Sequence, residues 1–268
     1  MKFANLKVND KIILCAEKGG KWVDISLLGT MDEVIAGKKI EIPDNALEVK
    51  NYEYANVTDK PGKLVCVGLN YKAHADNVSL KSAEWPILFS KFSNALVPSG
   101  AEVELPSWED SYDYEAELVI VMGKTAWGVS EEDAMDYVFG YTAGNDFSVR
   151  DPQMRTSQWL IGKTMPGFGP CGPCIVTSDE FNPDESKNIR SYVNGELRQD
   201  GYTSDMIFSC RKIISYASKY IKLEPGDLIF TGTPSGVALE KKEKTWLKRG
   251  DVIDVVIEGI GTLTNKMV

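Results

Sequence analysis

The stretch that decides the fold reads DYEAELVIVMGK over residues 113–124 and, after an acidic segment, GYTAGNDFSVRD over residues 140–151. Glu115 and Glu117 lie two residues apart on a predicted β-strand, and residues i and i+2 of a strand face the same side. From Leu118 to Met122 the strand is apolar on both faces, which predicts that it is buried. The two carboxylates therefore stand at the mouth of a buried strand.

Buried carboxylates need a cation or strong hydrogen bonds to offset the free energy lost on leaving water. We expect a metal ion here, with Asp146 as the third oxygen ligand beside Glu115 and Glu117. Oxygen ligands select hard ions, so Mg²⁺ or Mn²⁺ is predicted. Ca²⁺ fits less well, because this stretch has no Asp-rich loop. The alternative interpretation is a set of surface charges, since acidic side chains are mostly exposed.

The composition is that of an ordinary globular protein, with 43% hydrophobic and 26% charged residues in a chain of 268. That length can bury a full core. A net charge of −9 argues against nucleic acid and anionic membranes as partners. No apolar run approaches the ~20 residues of a membrane helix, and the opening MKFANLK has no hydrophobic secretory core. The five scattered cysteines favour reduced thiols, so we expect a cytoplasmic enzyme.

The pattern of turns divides the chain into a small N-terminal module, residues 1–60, and a main body, residues 61–268. In the module, Gly19 and Gly20 separate two short strands, which predicts a hairpin. A turn signal at Asp59–Gly62 ends the module. Nothing in the module carries chemistry that the sequence can name.

The main body is rich in predicted strands. Asn194 and Gly195 predict a hairpin, because they suit the positive backbone angles of a type I′ turn. Ser130 begins a capping-box pattern that predicts a helix. The apolar spacing over Met206–Tyr220 predicts a second, amphipathic helix. The predicted class is α+β, with more β than α.

His74 is the only histidine in the chain. It lies where a loop is predicted to enter a helix, and loops often carry function. Imidazole is the one side chain whose ordinary pKa suits proton transfer near neutral pH, so His74 is a candidate general base. The alternative is a structural or merely exposed histidine.

Two further motifs invite a functional interpretation. Cys171 and Cys174 form a Cys-x-x-Cys pair like that of thioredoxin-type redox proteins. The glycines and prolines around the pair predict an irregular loop and not the helix start that such chemistry needs, so redox catalysis is the weaker hypothesis. The turn Thr231–Gly236 lacks the ending of a phosphate loop. We interpret it as a strand-end turn whose amides can approach a small anion, with a plain connecting turn as the alternative.

Taken together, these stretches resemble the fumarylacetoacetate hydrolase family over nearly all of the chain from Lys63 onward. The motifs that carry the resemblance are VGLNY (67–71) with His74, DYEAEL (113–118), GYT (140–142) with Asn145 and Asp146, Arg150 and Asp151 with Gln153, Lys163, and TGTPSGV (231–237). Several motifs in the same order make a specific signal, whereas any one alone would be weak.

The resemblance implies a mixed β-sandwich roll, usually in a homodimer. It also implies that Mg²⁺ or Mn²⁺ is bound by Glu115, Glu117 and Asp146. Lys163 matches an active-site lysine of the family. Three further positions match residues near the substrate: Arg150, Gln153 and Thr233. Members of the family act on α-keto or β-diketo acids by C–C hydrolysis, decarboxylation, hydration or isomerisation.

The residues are consistent with that chemistry. A metal ion can act as a Lewis acid on a chelated 2-oxo acid, Lys163 adds positive charge where negative charge develops, and His74 would deprotonate a water. The first hypothesis is therefore a metal-dependent hydrolase of acylpyruvate-like diketo acids. The alternative is decarboxylation of oxaloacetate, or hydration or isomerisation. A third hypothesis, from another class, is a non-catalytic ligand-binding member.

One departure from the family pattern concerns the predicted lid helix. Hydrolytic relatives carry His-x-x-Glu, in which the carboxylate orients the histidine, but here Asn77 stands where that glutamate belongs. Asparagine cannot stabilise an imidazolium by charge. Asp76 points about 100° away around the helix, and Glu84 is the other acid that could reach back. The sequence thus predicts weakened water activation beside an intact metal site.

Overall fold

The computed structural model describes residues 1–77 and 84–268; the side chain of Asp76 also lies outside the described part. The strands are β1 (Lys2–Val8), β2 (Lys11–Lys18), β3 (Lys21–Asp24), β4 (Glu53–Tyr54), β5 (Leu64–Gly68), β6 (Ile87–Lys91), β7 (Leu96–Val97), β8 (Glu102–Val103), β9 (Tyr112–Asp113), β10 (Ala116–Met122), β11 (Val138–Asn145), β12 (Ser148–Val149), β13 (Gly169–Thr177), β14 (Asn188–Val193), β15 (Glu196–Tyr202), β16 (Leu228–Phe230), β17 (Val252–Ile257) and β18 (Gly261–Met267). The helices are α1 (Met31–Ile35), α2 (Lys72–Asn77), α3 (Arg150–Met154), α4 (Leu160–Lys163) and α5 (Cys210–Ser218). The predicted mainly-β class is confirmed.

The largest sheet has 11 strands and runs in the order β3-β2-β1-β13-β11-β10-β16-β5-β6, with β4 beside β1 and β7 beside β13. It is a mixed sheet, because β16 pairs with β5 in parallel and with β10 in antiparallel fashion. All seven residues of β10 are buried. The apolar run that follows the two glutamates is therefore a central strand, as the sequence predicts.

A second sheet of five strands, in the order β15-β14-β17-β18-β8, packs against the first. One hydrophobic cluster joins the two sheets, since it contains Leu118 and Ile120 from β10 together with Ile189 from β14 and Val255 from β17. The two packed sheets agree with the expected sandwich-like roll. No helix of the described residues has the length and hydropathy needed to cross a membrane.

The strands of residues 1–60 are part of the large sheet. β1 pairs with β2 and β4 from the same segment, and it also pairs with β13 of the main body through Phe3 and Ile175. Backbone hydrogen bonds therefore run without interruption from this segment into the body. The division of the chain at residue 60 stays a prediction.

Both predicted hairpins are present. The pairs Gly19–Gly20 and Asn194–Gly195 have positive φ at both positions, as a type I′ turn requires. The second predicted helix is shorter than expected, because α5 begins only at Cys210, where Ser209 accepts a hydrogen bond from the Lys212 amide.

The helix predicted at Ser130 is wrong. Ser130 Oγ does accept a hydrogen bond from the Asp133 amide at 3.1 Å, as a capping residue would. The chain then makes a turn and a short 3₁₀-helix, Ala134–Tyr137, before it enters β11. The segment is too short for a longer helix, since β11 must return antiparallel to β10 at Val138.

The irregular loop predicted around Cys171 and Cys174 is also wrong, because both residues lie in β13. The strand pairs with β1, β7 and β11, and it contains a register shift against β11 between Tyr141 and Ala143 and a cis peptide bond between Gly172 and Pro173. Pairing on both sides has overridden the local preference of glycine and proline for a turn.

Candidate active site

The three predicted metal ligands come together where β10 and β11 meet. Glu115 and Glu117 flank Ala116, the first residue of β10, and Asp146 directly follows Asn145, the last residue of β11. Ala116 lies opposite Asn145 in the antiparallel pair. This register brings one oxygen of each of the three carboxylates within 4.8 Å of the others. All three side chains are buried.

Lys163, at the end of α4, lies against this cluster of carboxylates. Its Nζ atom is 2.6 Å from Glu115 Oε2 and 3.0 Å from Asp146 Oδ2. Burial alone would lower the pKa of Lys163, but the charges of Asp146 and Glu115 raise it above its ordinary value. The ammonium group therefore stays charged at neutral pH.

The two glutamates have opposite electrostatic surroundings. Burial favours the neutral form of Glu115, but the charges of Lys163 and Arg150 hold its pKa well below the ordinary value. Burial and the charges of Asp146 and Glu115 raise the pKa of Glu117 well above its ordinary value. Glu117 accepts a hydrogen bond from the Gly232 amide at 2.8 Å, and it has no ion-pair partner within the described ranges.

The donor set fits a hard divalent cation. The buried ionisable groups around the cluster are four carboxylates and three cations: Asp113, Glu115, Glu117, Asp146, Lys91, Arg150 and Lys163. Glu117 is the one carboxylate of this set with no cationic partner among the described residues, and its raised pKa favours the neutral form. Three carboxylate oxygens in reach of one another are the ligands that Mg²⁺ and Mn²⁺ prefer, and a bound cation would favour the ionised form of Glu117.

His74, on α2, forms a pair with a carboxylate from a distant part of the chain. Its Nδ1 atom donates a hydrogen bond to Glu240 Oε1. Glu240 Oε2 accepts hydrogen bonds from Asn77 Nδ2 at 2.9 Å and from the Gly236 amide at 2.8 Å. The side chains of His74 and Glu240 are each 7% exposed. Because Nδ1 is engaged, Nε2 is the nitrogen of His74 that can exchange a proton.

This pair corrects the expectation that His74 lacks a carboxylate partner, whereas the strength of water activation stays a prediction. Asn77 does not replace the missing glutamate at His74. Instead, it donates to Glu240, which takes that glutamate's place. Glu84, the acid that the sequence offered as a substitute, is exposed, and the side chain of Asp76 lies outside the described part of the chain.

The predicted site residues surround a cavity of about 310 Å³. Its polar lining includes seven of them: His74, Glu115, Glu117, Arg150, Gln153, Lys163 and Thr233. Asp146 is fully buried and contacts the cavity wall through Lys163. The volume is at the lower end of the range for small-molecule sites, which favours a substrate of few carbons.

Arg150 and Thr233 are engaged with protein partners. The Nε atom of Arg150 is 2.8 Å from Asp113 Oδ2, and Nη1 donates to Gln153 Oε1 at 3.0 Å. The Thr233 hydroxyl donates to the Ala116 carbonyl at 2.9 Å and accepts from Gln199. Because Gln153 Oε1 is taken, the amide nitrogen of Gln153 is the group left to donate to a substrate.

One wall of the cavity is aromatic. Trp159 meets Phe89 edge-on, with ring centroids 5.5 Å apart. A Cβ atom at Gly68 would lie only 2.3 Å from the Trp159 ring, so glycine is needed there for the ring to fit. Trp85 and Trp108 are exposed and take no part in this wall.

The geometry argues against thiol redox chemistry. Cys171 and Cys174 are buried free thiols that belong to different hydrophobic clusters. Burial raises the pKa of the Cys174 thiol to about 11 and that of Cys171 further. Reactive cysteines have lowered pKa values and partial exposure, so these two lack the properties that redox catalysis needs.

The comparisons with known proteins agree with the geometry. The family model described as fumarylacetoacetate hydrolase, C-terminal, matches residues 63–268. A Dictyostelium discoideum protein named fumarylacetoacetate hydrolase domain-containing protein 2 homolog is 46% identical over 220 residues, which is 78% of this chain and 72% of that protein. A human protein named oxaloacetate tautomerase, mitochondrial, is 41% identical over 211 residues, covering 78% of this chain and 67% of that protein.

A solved structure shows the same likeness in three dimensions. The fumarylacetoacetate hydrolase from psychrophilic Exiguobacterium antarcticum has a TM-score of 0.93 to this chain at 35% identity. The match covers 100% of this chain and 99% of that one. The strands of residues 1–60 therefore have counterparts in that structure, although they precede the stretch that the family model matches.

Proposed function

The chain belongs to the fumarylacetoacetate hydrolase family, and on that basis we propose that it is a divalent-metal-dependent enzyme that interconverts the keto and enol forms of a small 2-oxo acid. Oxaloacetate is the first candidate substrate. The observation that carries the proposal is that His74, held by Glu240, lines the same cavity as Glu115, Glu117 and Lys163. Enolisation requires a base near the carbon and positive charge near the 2-oxo oxygen. In this cavity His74 would be the base, and Lys163 and a cation bound by the carboxylates would provide the positive charge.

The name of the human relative supports oxaloacetate as the substrate. The cavity of about 310 Å³ supports it independently, because a four-carbon diacid needs little room. The name also places that relative in mitochondria, so the cytoplasmic location expected from the sequence stays a prediction for this chain.

A divalent cation held by Glu115, Glu117 and Asp146 would supply a Lewis acid that withdraws electrons from the 2-oxo group. Nε2 of His74 takes a proton from the carbon next to that group, and the C–H electron pair moves to form the enol double bond. The 2-oxo oxygen gains the negative charge and then accepts the proton from the His74 imidazolium, which returns to its neutral form. In the ketonising direction the same steps run in reverse.

Each of the other residues has a role in that proton transfer. Glu240 holds the Nδ1–H of His74 and stabilises the imidazolium that forms. Lys163 keeps a positive charge near the oxygen on which negative charge develops. The Gln153 amide, oriented by Arg150, is left to donate to a substrate carboxylate. The aromatic wall of Phe89 and Trp159 excludes water from one side.

Hydrolysis of an acylpyruvate is the second candidate, and the same His74–Glu240 pair favours it. A carboxylate-held imidazole suits the activation of a water molecule as well as removal of a carbon-bound proton. The contact with Glu240 supports this role, because it gives His74 the carboxylate partner that position 77 does not provide. The two reactions differ in whether water is consumed, so product analysis separates them.

The test is an assay of the purified protein on enol-oxaloacetate and on acetylpyruvate, with and without Mg²⁺. We expect Mg²⁺-dependent loss of the enol absorbance, with no pyruvate formed beyond the uncatalysed rate. Faster cleavage of acetylpyruvate would favour the hydrolase, and rapid formation of pyruvate from oxaloacetate would favour the decarboxylase. Activity that is unchanged by EDTA would contradict the metal-dependent mechanism.

A further inference from the structure

Ala116 lies between the two glutamates of the site, and its backbone N–H and C=O groups are both hydrogen-bonded to side chains. The Ala116 amide donates to Gln199 Oε1 at 3.0 Å, and its carbonyl accepts from Thr233 Oγ1 at 2.9 Å. The neighbouring strand β16 pairs with β10 only from Val119 onward. At Ala116, the side chains of Gln199 and Thr233 therefore make the hydrogen bonds that a neighbouring strand would otherwise make.

Gln199 is held in one orientation by four hydrogen bonds. Besides the Ala116 amide, its Oε1 accepts from Ser191 Oγ at 2.9 Å. Its Nε2 donates to Thr233 Oγ1 and to the Pro234 carbonyl, both at 2.7 Å. The side chain is 1% exposed. These bonds use both lone pairs and both hydrogens of the amide, so a flip of the group would break all of them.

The turn that Gln199 holds also contacts the metal-ligand cluster. The Gly232 amide, next to Thr233 in this turn, donates to Glu117 Oε2 at 2.8 Å. A shift of the turn would therefore move the one hydrogen-bond donor that Glu117 has among the described residues. A shift of the backbone at Ala116 would move Glu115 and Glu117 together. Gln199 is bonded to both parts.

We propose that Gln199 is a positioning residue for the carboxylate cluster. Acting through Ala116 and Thr233, it fixes the separation of Glu115 and Glu117 and thereby the affinity of the site for a divalent cation. Gln199 does not line the cavity that the substrate would enter, so its effect is indirect. The inference rests on the proposed metal-dependent function. Because Gln199 lies in β15, the five-stranded sheet would also help to position the metal ligands.

The test compares Gln199→Met with Ser191→Ala. Methionine keeps the shape of the side chain and removes all four hydrogen bonds. Ser191→Ala removes one bond to the same amide and leaves Ala116 and Thr233 untouched, so it is the matched control. Mn²⁺ affinity is measured by calorimetry on each folded variant. We expect Gln199→Met to bind Mn²⁺ about 10- to 100-fold more weakly, as loss of an outer hydrogen-bond partner does elsewhere, and Ser191→Ala to stay within about twofold of the native protein.

Hydrogen exchange adds a readout that does not depend on metal. The Ala116 amide should lose protection in Gln199→Met and keep it in Ser191→Ala. If Gln199→Met fails to fold, Gln199→Glu replaces it, because it keeps an acceptor for Ala116 and removes the donor to Thr233 and Pro234. Equal Mn²⁺ affinity in the native protein and in the folded Gln199 variant would overturn the inference alone. A native protein that binds no Mn²⁺ would overturn the proposed function and, with it, this inference.

Discussion

Glu240 determines what His74 can do in this protein. Its carboxylate accepts from His74 Nδ1, and the Gly236 amide and Asn77 hold it in place from the other side. The side chain is nearly buried, so water screens its charge poorly. A base of this kind can accept a proton from carbon and return it.

Replacement of Glu240 by glutamine should therefore slow proton transfer. Glu240→Gln keeps the shape but removes the charge that stabilises the imidazolium, and we expect kcat to fall by about 10- to 100-fold with little change in Mn²⁺ affinity. The measurement is the rate of enol loss at saturating oxaloacetate. Glu243→Gln, at an exposed position nearby, is the control and should leave kcat unchanged. A Glu240→Gln variant with native kcat would remove Glu240 from the mechanism.

A glutamate at position 77 should lower activity. Asn77→Glu would recreate the His-x-x-Glu pattern of the hydrolytic relatives, but its carboxylate would replace the amide that donates to Glu240 and would repel it. We expect a lower kcat for Asn77→Glu and a smaller loss for Asn77→Ala, measured in the same assay. An increase of either reaction in Asn77→Glu would show that Glu240 does not serve as the partner of His74.

The sequence predicts the three carboxylates of the site but not the residues that hold His74 and Ala116. The two glutamates could be found because a strand puts alternate residues on one side, and Asp146 because it follows the neighbouring strand. Glu240 could not be found, since it is 166 positions from His74 and only the tertiary fold brings the two together. Gln199 is hidden for the same reason, 83 positions from Ala116.

At the scale of elements, the central strand is where local pattern and tertiary structure agree. β10 is apolar on both faces because both faces are covered, and its neighbours β11 and β16 satisfy its backbone. β13 is the contrary case. Its glycines and prolines predict a loop, but pairing with β1 and β11 makes it a strand, and no pattern in the sequence reveals those partners.

The two cysteines of β13 should be dispensable for activity. We expect the double variant Cys171→Ala with Cys174→Ala to keep the native rate within about twofold, because in the described part of the chain neither thiol lines the cavity or is hydrogen-bonded to a site residue. Its free energy of unfolding should fall by about 1–3 kcal/mol from lost packing in the core. Chemical denaturation and the oxaloacetate assay measure the two effects. Loss of activity in a folded double variant would revive the redox hypothesis.

At the scale of the whole molecule, the buried thiols predict a loss of stability at high pH. Burial raises the pKa of Cys174 to about 11, and it raises the pKa values of Cys15 and Cys210 to about 12. In the unfolded chain these thiols ionise near their ordinary pKa, so above it the native state binds more protons than the unfolded state. The free energy of unfolding must then fall as pH rises.

Denaturation by guanidinium at about pH 8 and at about pH 10.5 measures this effect, and the midpoint should be lower at the higher pH. A triple variant with alanine at Cys15, Cys174 and Cys210 is the control, because it should show a smaller difference between the two midpoints. An equal or greater difference in that variant would assign the pH dependence to other groups.

The arrangement of the two sheets is the part of the fold that residue patterns could not supply. Alternation and turn residues predict strands and hairpins, but the order of strands depends on pairings between distant segments, such as β1 with β13 and β5 with β16. The expectation of a roll came from the resemblance of motifs to a family. The homodimer that the same resemblance implies stays a prediction, which the mass of the protein in solution would test.

The central claim is that a divalent cation at Glu115, Glu117 and Asp146 and the base His74 together interconvert the tautomers of a small 2-oxo acid. The most direct test follows the enol absorbance of oxaloacetate with metal-free protein, with added Mg²⁺ and with the Glu117→Gln variant. We predict a rate near the uncatalysed one without metal, restoration by Mg²⁺, and no restoration in Glu117→Gln. Full activity of the metal-free protein, or of Glu117→Gln, would contradict the claim.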